Sequence, residues 1–246
     1  MSMDVEESIR AYPLDAVVLL GGCDKTVPAQ LMGAASAGVS AIMVVGGPSE
    51  PAWFRGRQLG SGTDLWHYAD ELRAGRMSVE EFAELEAAAT PTFGTCNEMG
   101  TASTMAALVE ALGMSLPGTA TIPAVSAARS RAAEATGRRA VELAVEGLTP
   151  RQILTTEAFD NAITLLAAVG GGTNAVVHLL ALAGRVGVPL TLDRFGEVAS
   201  QTPLLVNVRP SGEHLVEQLH HAGGVPAELK ELAPHIRSRQ SETTAG

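Results

Sequence analysis

Cysteine, lysine and aromatic residues are scarce in this chain of 246 residues, which has two cysteines, two lysines and 4% aromatic residues. With so few aromatic residues, the hydrophobic core must be built from Ala, Val, Leu and Ile. Apolar residues make up 46% of the chain and charged residues 18%, a composition typical of a globular protein rather than a disordered one. The length is sufficient for a sizeable core.

Basic segments and long apolar runs are also absent. The formal net charge is −10, and no cluster of basic and aromatic residues is present, so nucleic acid is not an expected partner. No apolar run approaches the length of a membrane span, and the first ten residues, MSMDVEESIR, are too acidic and polar for a signal peptide. We therefore expect a cytoplasmic protein that binds neither nucleic acid nor a membrane.

Two apolar segments with a helical segment between them predict a parallel sheet. Residues 15–20 and 39–47 have the pattern of buried strands, each with a glycine pair at its end, and residues 28–37 contain good helix formers. This order is typical of a βαβ unit. The predicted fold class is α/β, a parallel β-sheet flanked by helices. No repeat or linker interrupts the chain, so residues 1–246 are predicted to form a single domain.

The remaining segments are predicted mainly as helices and loops. Ser78 and Glu81 form a capping-box pattern within a helical segment, 65–89. Residues 48–64 are predicted as a loop, and 203–212 as a final strand. Helices are also predicted at 5–11, 101–113 and 175–187. A helix at 126–146 is predicted to break near Gly137, and a helical segment at 148–169 is predicted in two parts that each begin at a threonine. A short strand and a helix are predicted at 188–199, and a frayed polar end at 231–246.

The loop GGCDKT at 21–26 places a thiol, a carboxylate and an amine in succession, at Cys23, Asp24 and Lys25. A phosphate-binding loop of the Walker type needs glycine directly before Lys-Thr, and Asp24 in that place would repel phosphate. The functional interpretations that remain are a thiolate metal ligand, an oxygen ligand for Mg²⁺, and a modified or acid–base lysine. The structural alternative is a small buried cysteine beside an Asp–Lys pair at a turn.

The other cysteine, Cys96, lies 73 residues after Cys23 in the loop-to-helix segment GTCNEMGTASTM at 94–105. A thiolate at the N-terminus of a helix is favoured by the helix dipole and the exposed amides. Two cysteines in equivalent loops of a parallel sheet can converge on one metal centre, although so wide a spacing is a weak metal signal. Two inert core thiols are the structural alternative.

A third glycine-rich loop, GGGTNA at 170–175, fits the dinucleotide pattern G-x-G-x-x-A, with Asp193 downstream. That pattern requires a preceding strand, whereas the residues before it belong to a helical segment, so a nucleotide-binding module is kept only as the alternative function. Thr173 and Asn174 are candidate substrate-binding residues. In the structural alternative, Asn174 caps the next helix.

Histidine and one further aspartate are assigned structural roles. His178 is predicted to be a buried histidine with satisfied hydrogen bonds rather than a metal ligand. Asp64 is predicted to cap a helix. The histidines near the C-terminal end have no metal-ligand spacing: His214, His220, His221 and His235.

Five segments in this order resemble the dihydroxy-acid and sugar-acid dehydratases, the family that includes the 6-phosphogluconate and arabinonate types. The segments are LLGGCDKTVPAQLMGAASAG, FRGRQLGSGTDLW, GTCNEMGTASTMAALVEALGMSLPG, GGGTNAVVHLLALAGRVG and VNVRPSGEHL. The resemblance covers nearly the whole chain and corresponds to the central part of the family's N-terminal catalytic domain. The FRG and GSGTDLW motifs are closer to the arabinonate-type branch.

The resemblance implies a hydro-lyase that removes water from a 2,3-dihydroxy acid or sugar acid and gives a 2-keto-3-deoxy acid. It implies a [2Fe–2S] cluster with Cys23 and Cys96 as two of its three cysteine ligands. It also implies Mg²⁺ with Asp24 and a carbamylated Lys25 as ligands. Iron polarises the departing hydroxyl as a Lewis acid, and Mg²⁺ stabilises the charge that develops as the C2 proton leaves. Burial is expected to favour the neutral Lys25 amine that carbamylation requires.

The family pattern extends beyond these residues. The resemblance implies that the first cluster cysteine, two carboxylate ligands of Mg²⁺, the serine base and the C-terminal domain lie outside 1–246. Gly172 also replaces the serine of the family's GGSTN. We therefore expect a fragment, one half of a split enzyme, or a non-catalytic relative. The first two predict an exposed apolar face and a homo-oligomer or a complementary chain, and the third predicts a polar surface there.

Overall fold

A computed structural model of the protein describes residues 1–237 and residue 243. These residues form a single helix-rich domain with a small parallel sheet. In chain order the elements are α1 Ser2–Arg10, β1 Ala16–Gly21, α2 Thr26–Ala37, β2 Ser40–Val45, β3 Ala52–Phe54, β4 Arg57–Leu59, α3 Thr63–Arg73, α4 Val79–Ala89, α5 Thr101–Ala111, α6 Ala127–Glu146, α7 Pro150–Ile153, α8 Thr156–Ala168, α9 Asn174–Val186, α10 Leu192–Ser200, α11 Val216–His221 and α12 Gly224–Glu231.

The predicted βαβ unit is confirmed, but the predicted burial of its first strand is wrong, because Val18 and Leu20 of β1 are exposed. β1 and β2 pair in parallel along their whole lengths, and α2 connects them. α2 ends at Gly38, whose φ of 75° is the left-handed conformation that glycine adopts at low cost. All residues of β2 are buried, and α6 packs against both strands. The α/β fold class, with a parallel sheet flanked by helices, is therefore confirmed.

The main hydrophobic core lies among the helices. Leu31 of α2, Leu108 of α5, Phe159 of α8 and Leu179 of α9 are completely buried in it. Most of its other members are alanine, valine, leucine and isoleucine, as the shortage of aromatic residues predicts, and methionine contributes as well. Within residues 1–237 and 243, none of the helices combines the length and the apolar character that crossing a membrane requires.

The loop prediction for residues 48–64 is wrong, because this segment contains the antiparallel hairpin of β3 and β4. The two residues at its tip, Arg55 and Gly56, have φ of 49° and 78°, the positive values that a tight hairpin turn requires. Ala52, Phe54 and Leu59 are buried in a small separate cluster. α4 packs against β3 and completes this cluster.

The two C-terminal strand predictions are also wrong. Residues 203–212 form no strand, and Val208 makes only an isolated bridge to His214. Before α10, the Val188 amide closes the end of α9 by donating to the carbonyl of Ala183, and Thr191 caps the next helix. Apolar and β-branched residues fit a strand only where a neighbouring edge pairs with them, and here the chain makes turns instead.

The predicted caps of α4, α7 and α8 are confirmed. Ser78 and Glu81 form the capping box of α4, and Thr149 and Thr155 precede α7 and α8. The predicted break near Gly137 is wrong, because α6 continues through it. The prediction of a frayed end at 231–246 falls largely on residues outside those described. The sequence also gave no prediction of α11 and α12.

Candidate functional site at the carboxyl ends of the parallel strands

The first cysteine loop follows β1 directly and leads into α2. Cys23 lies in this loop with a φ of 79°, a left-handed conformation that is uncommon for residues other than glycine. Holding such a residue there costs on the order of 1–2 kcal/mol. Backbone strain of this kind is often found at functional sites, so the geometry of Cys23 favours the functional interpretation over an inert core thiol.

The side chains of Cys23, Asp24 and Lys25 contact one another. The Lys25 ammonium donates to Asp24 Oδ2 at 2.7 Å, and the Cys23 thiol lies 3.5 Å from Asp24 Oδ1. The hydrogen bond from Lys25 lowers the pKa of the Asp24 carboxyl, and the Cys23 thiol adds to this effect. Asp24 is therefore a carboxylate with two donors on it at neutral pH.

The expected burial of Lys25 is not found. Its side chain is 61% exposed, and that of Asp24 is 41% exposed. This surface of the chain therefore does not bury the Lys25 amine. Any burial of Lys25 must come from a ligand or from polypeptide that covers the loop.

The second cysteine loop lies beside the first. Thr95, next to Cys96, donates its amide to the Gly47 carbonyl at 2.9 Å and accepts from the Ser49 amide at 2.9 Å. A β-carbon on Gly22, next to Cys23, would lie only 2.9 Å from the Thr95 methyl carbon. Both cysteines are free and exposed. The structure thus brings two loops together that are far apart in sequence, and the exposure of both thiols contradicts the structural alternative in which they lie in the core.

Two residues that the sequence analysis did not single out hold the Cys96 loop. The Oδ1 atom of Asn97 accepts from the Ser61 backbone amide at 2.8 Å, and the Asn97 backbone amide donates to Ser61 Oγ at 3.1 Å. The buried Glu98 carboxylate accepts from the backbone amides of Gly62 and Thr63 at 3.2 Å. These amides are at the N-terminus of α3, where helix N–H groups have no acceptor within the helix. Their partners lie about 36 residues away in sequence, and no local pattern identifies such contacts.

The predicted helix cap at Asp64 is wrong, because Glu98 rather than Asp64 accepts from the first amides of α3. Asp64 lies inside the first turn of α3, after the N-cap residue Gly62. Its carboxylate accepts from the Gly60 amide at 2.6 Å and forms an ion pair with Arg209. Asp64 therefore connects the start of α3 to the 207–214 turn, while Glu98 satisfies the helix amides.

His178 does not have the satisfied hydrogen bonds that were predicted. It lies on α9 and is partly buried, and its Nε2 atom is buried with no hydrogen-bond partner among the described residues. Burial lowers the pKa of His178, and so does the Lys25 ammonium, whereas Asp24 has the opposite effect. His178 therefore faces the first cysteine loop, which the sequence did not reveal because α2 and α9 are far apart in the chain.

The third glycine-rich loop lacks the structural context of a dinucleotide-binding loop. Helix α8 precedes it where the fingerprint requires a strand. Thr173 and Asn174 are exposed, and Asn174 is the first residue of α9 rather than its cap. The Asn174 amide donates to Thr101 Oγ1 at 3.2 Å, at the start of α5. A β-carbon on Gly172 would lie 3.1 Å from the same Thr101 hydroxyl oxygen, so this loop packs on the helix that follows Cys96.

The donor chemistry fits part of a metal site. Thiolate sulfur from Cys23 and Cys96 suits an iron–sulfur cluster, and the Asp24 carboxylate suits Mg²⁺. Within residues 1–237 and 243, however, no three His, Cys, Asp or Glu side chains are grouped closely enough to hold a metal ion. The residues therefore fit these groups as a partial ligand set, which further ligands would complete.

Comparisons with known proteins identify the family of the chain. Residues 1–246 match the family described as dihydroxy-acid/6-phosphogluconate dehydratase N-terminal. The chain is 51% identical over 231 residues to the L-arabinonate dehydratase of Rhizobium leguminosarum bv. trifolii (94% of this chain and 40% of the relative). It is 53% identical over 231 residues to the L-arabonate dehydratase of Azospirillum brasilense, with the same coverage of 94% and 40%.

A third relative belongs to the dihydroxy-acid enzymes. The dihydroxy-acid dehydratase of Thermodesulfovibrio yellowstonii is 43% identical over 234 residues, which are 95% of this chain and 42% of the relative. The chain thus spans about two fifths of the length of the curated relatives that it matches.

Proposed function

Because the chain belongs to the dihydroxy-acid/6-phosphogluconate dehydratase N-terminal family, we propose that it forms part of an enzyme that dehydrates a sugar acid. The reaction removes the C2 proton and the C3 hydroxyl of a 2,3-dihydroxy acid and gives a 2-keto-3-deoxy acid. Identity is 51–53% to relatives named as arabinonate dehydratases and 43% to one named dihydroxy-acid dehydratase. This difference supports a sugar acid as the substrate.

The observation that carries the proposal is the contact between the two cysteine loops. We propose that Cys23 and Cys96 are two ligands of a [2Fe–2S] cluster, and that the remaining ligands come from outside residues 1–246. When bound, the cluster supplies a Lewis-acidic iron for the departing hydroxyl, and Mg²⁺ supplies positive charge for the anion formed at C2. Cys23 lies between β1 and α2 with a strained backbone.

Asp24 and Lys25 are the proposed Mg²⁺ ligands. As an ammonium, Lys25 occupies Asp24 Oδ2 and offers no acceptor of its own. Carbamylation would convert the Lys25 nitrogen into an oxygen-bearing anion and remove the donor from Asp24. Both side chains would then offer oxygen to a hard cation. This change requires a neutral amine, so we expect it only where Lys25 is covered.

The covering polypeptide is expected to carry the base and the missing ligands. Leu20 at the end of β1 is 69% exposed and Phe93 before the Cys96 loop is 74% exposed. Exposed apolar side chains beside a polar loop are typical of a surface that packs against protein. This supports a homo-oligomer or a complementary chain over a non-catalytic relative. Two exposed free cysteines also suit a reducing compartment, and we propose the cytoplasm.

A chimera tests the proposal. The matching region of the L-arabinonate dehydratase of Rhizobium leguminosarum bv. trifolii is replaced by this chain, and formation of 2-keto-3-deoxy acid is measured from L-arabinonate and from a 2,3-dihydroxy acid without a sugar chain. We expect product from the sugar acid, and its loss with Cys23→Ser or Asp24→Asn. Asp15→Asn is the matched control, because Asp15 is exposed at the opposite end of β1.

Iron content and thermal unfolding of each chimera separate loss of chemistry from loss of folding. A folded chimera that contains iron and makes no product would contradict the proposal. Equal activity of the Asp24→Asn and Asp15→Asn variants would contradict the assignment of Asp24.

A further inference from the structure

Arg129 is a buried cation whose charge is not balanced within the described residues. Arg129 is 8% exposed and lies in the first turn of α6. Nη2 donates to the Ile122 carbonyl, whereas Nε and Nη1 are buried without a hydrogen-bond partner among residues 1–237 and 243. In the same part of the chain, no carboxylate forms an ion pair with Arg129, and burial alone lowers its pKa to about 10.

An unpaired guanidinium in this position is energetically expensive. A buried charge normally has a counter-charge and a full set of acceptors, and one left alone costs several kcal/mol. The nearby histidine, His220, does not provide the counter-charge. Burial lowers its pKa, with further lowering by His221 and by Arg129 itself. The described residues therefore supply neither acceptors for Nε and Nη1 nor a counter-charge for Arg129.

A cleft borders Arg129. The cleft has a volume of about 470 Å³ and is lined by the carboxyl ends of β1 and β2, by the Phe93–Thr95 segment and by Arg129. Gly47 forms part of its wall, with a φ of 87°, and a β-carbon there would lie 2.6 Å from Nη2 of Arg129. Glycine at this position thus leaves the room that the guanidinium occupies directly beneath the cleft.

The cleft is distinct from the candidate metal ligands. The residues that line it include Gly22 and Thr95, the neighbours of the two cysteines, but neither Asp24 nor Lys25. Its lining contains no acidic side chain, so an entering anion meets no repulsion from the wall. The start of α6 adds the positive end of a helix dipole.

We propose that Arg129 and this cleft form a binding site for one carboxylate group, which pairs with the guanidinium. A carboxylate matches the arginine donors in geometry and charge better than a simple halide does. The carboxylate comes either from a free small acid or from an aspartate or glutamate side chain of polypeptide that covers the cleft. The site stands on the burial and isolation of Arg129, and it does not depend on the proposed dehydratase activity.

Thermal unfolding of the 246-residue chain tests this site. Sodium chloride is replaced by sodium acetate or sodium D-gluconate at constant ionic strength and pH 7.5. We expect a saturable increase in the unfolding midpoint of about 5 °C or more at one hundred times the dissociation constant. Arg129→Met should abolish the increase. Arg131→Met is the matched control, since Arg131 lies on the same helix but is exposed.

The two probes distinguish the sources of the carboxylate. Gluconate binding at least ten times tighter than acetate would identify a sugar acid as the ligand. Equal binding of acetate and gluconate would identify a site that recognises only the carboxylate group, as expected if the natural ligand is an aspartate or glutamate side chain. The proposal is overturned if neither acid raises the midpoint above the chloride control, or if Arg129→Met responds as the wild type does. Should Arg129→Met fail to fold, Arg129→Lys keeps the charge without the planar fork, and at least tenfold weaker binding is expected.

Discussion

Replacing Glu228 with glutamine should stabilise the protein at alkaline pH and have little effect at acidic pH. Glu228 lies on α12 and is buried, and both of its carboxyl oxygens lack a hydrogen-bond partner among the described residues. Burial, together with a smaller contribution from the neighbouring Glu110, raises its pKa from 4.5 to about 7. Glu110 is better placed to hold a negative charge, because it accepts from the amides of Gly118 and Ala120.

The pKa difference sets the size and sign of the effect. One pKa unit corresponds to about 1.4 kcal/mol, so a rise from 4.5 to about 7 corresponds to roughly 3 kcal/mol. Between these two values the folded state binds more protons than the unfolded state, and stability therefore falls as the pH rises. Above about pH 7 the loss is complete, and below pH 4.5 it disappears.

Denaturant unfolding at pH 4 and pH 8 measures this difference. Glu228→Gln should unfold with a free energy about 3 kcal/mol above that of the wild type at pH 8, and within about 1 kcal/mol of it at pH 4. Glu231→Gln is the control, because Glu231 is exposed on the same helix, and it should show no such pH dependence. A difference between Glu228→Gln and wild type that is the same at both pH values would refute the reasoning.

Two further predictions concern backbone geometry in the cysteine loops. Gly94 has a φ of 144°, and a β-carbon there would lie 2.4 Å from the Ser49 amide nitrogen, so Gly94→Ala should cost about 2 kcal/mol or more in chemical denaturation. The control is Gly137→Ala, in the middle of α6 with open space around it, which should instead stabilise the protein by about 0.5–1 kcal/mol. Equal effects of Gly94→Ala and Gly137→Ala on stability would refute the strain and close contact assigned to Gly94. Cys23→Gly should be more stable than Cys23→Ala by about 1 kcal/mol because of its left-handed backbone. At Cys96 the alanine variant should instead be more stable than the glycine variant. If glycine were the more stable replacement at both cysteines, the backbone strain assigned to Cys23 would be contradicted.

The sequence predicted the parts of the fold that depend on local patterns. The β1–α2–β2 unit has two apolar strands, a helix between them and glycine-rich turns, and this local pattern predicts it, although only β2 is buried throughout. The capping box at Ser78 is likewise local. The β3–β4 hairpin was missed because its turn uses Arg55 at positive φ, which residue type alone does not favour. Residues 203–212 have strand propensity but no neighbouring edge to pair with.

The candidate site divides in the same way. The thiol, carboxylate and amine at 23–25 could be identified because they are adjacent in sequence. The contacts of Glu98 with α3 and the position of His178 near Lys25 depend on packing between distant segments. Arg129 was missed for a different reason, since an arginine in a helix rich in exposed arginines has no pattern that reveals burial.

Iron and acid-labile sulfide content, with a visible spectrum, tests the central claim most directly. The 246-residue chain is purified and reconstituted without oxygen, in the presence of a small thiol that can supply missing ligands, alongside Cys23→Ala and Cys96→Ala. The account predicts iron and sulfide in equal amounts with a charge-transfer band in the wild type, and loss of both in each variant. A folded wild-type chain without iron, or unchanged iron in both variants, would contradict the assignment of Cys23 and Cys96 as cluster ligands.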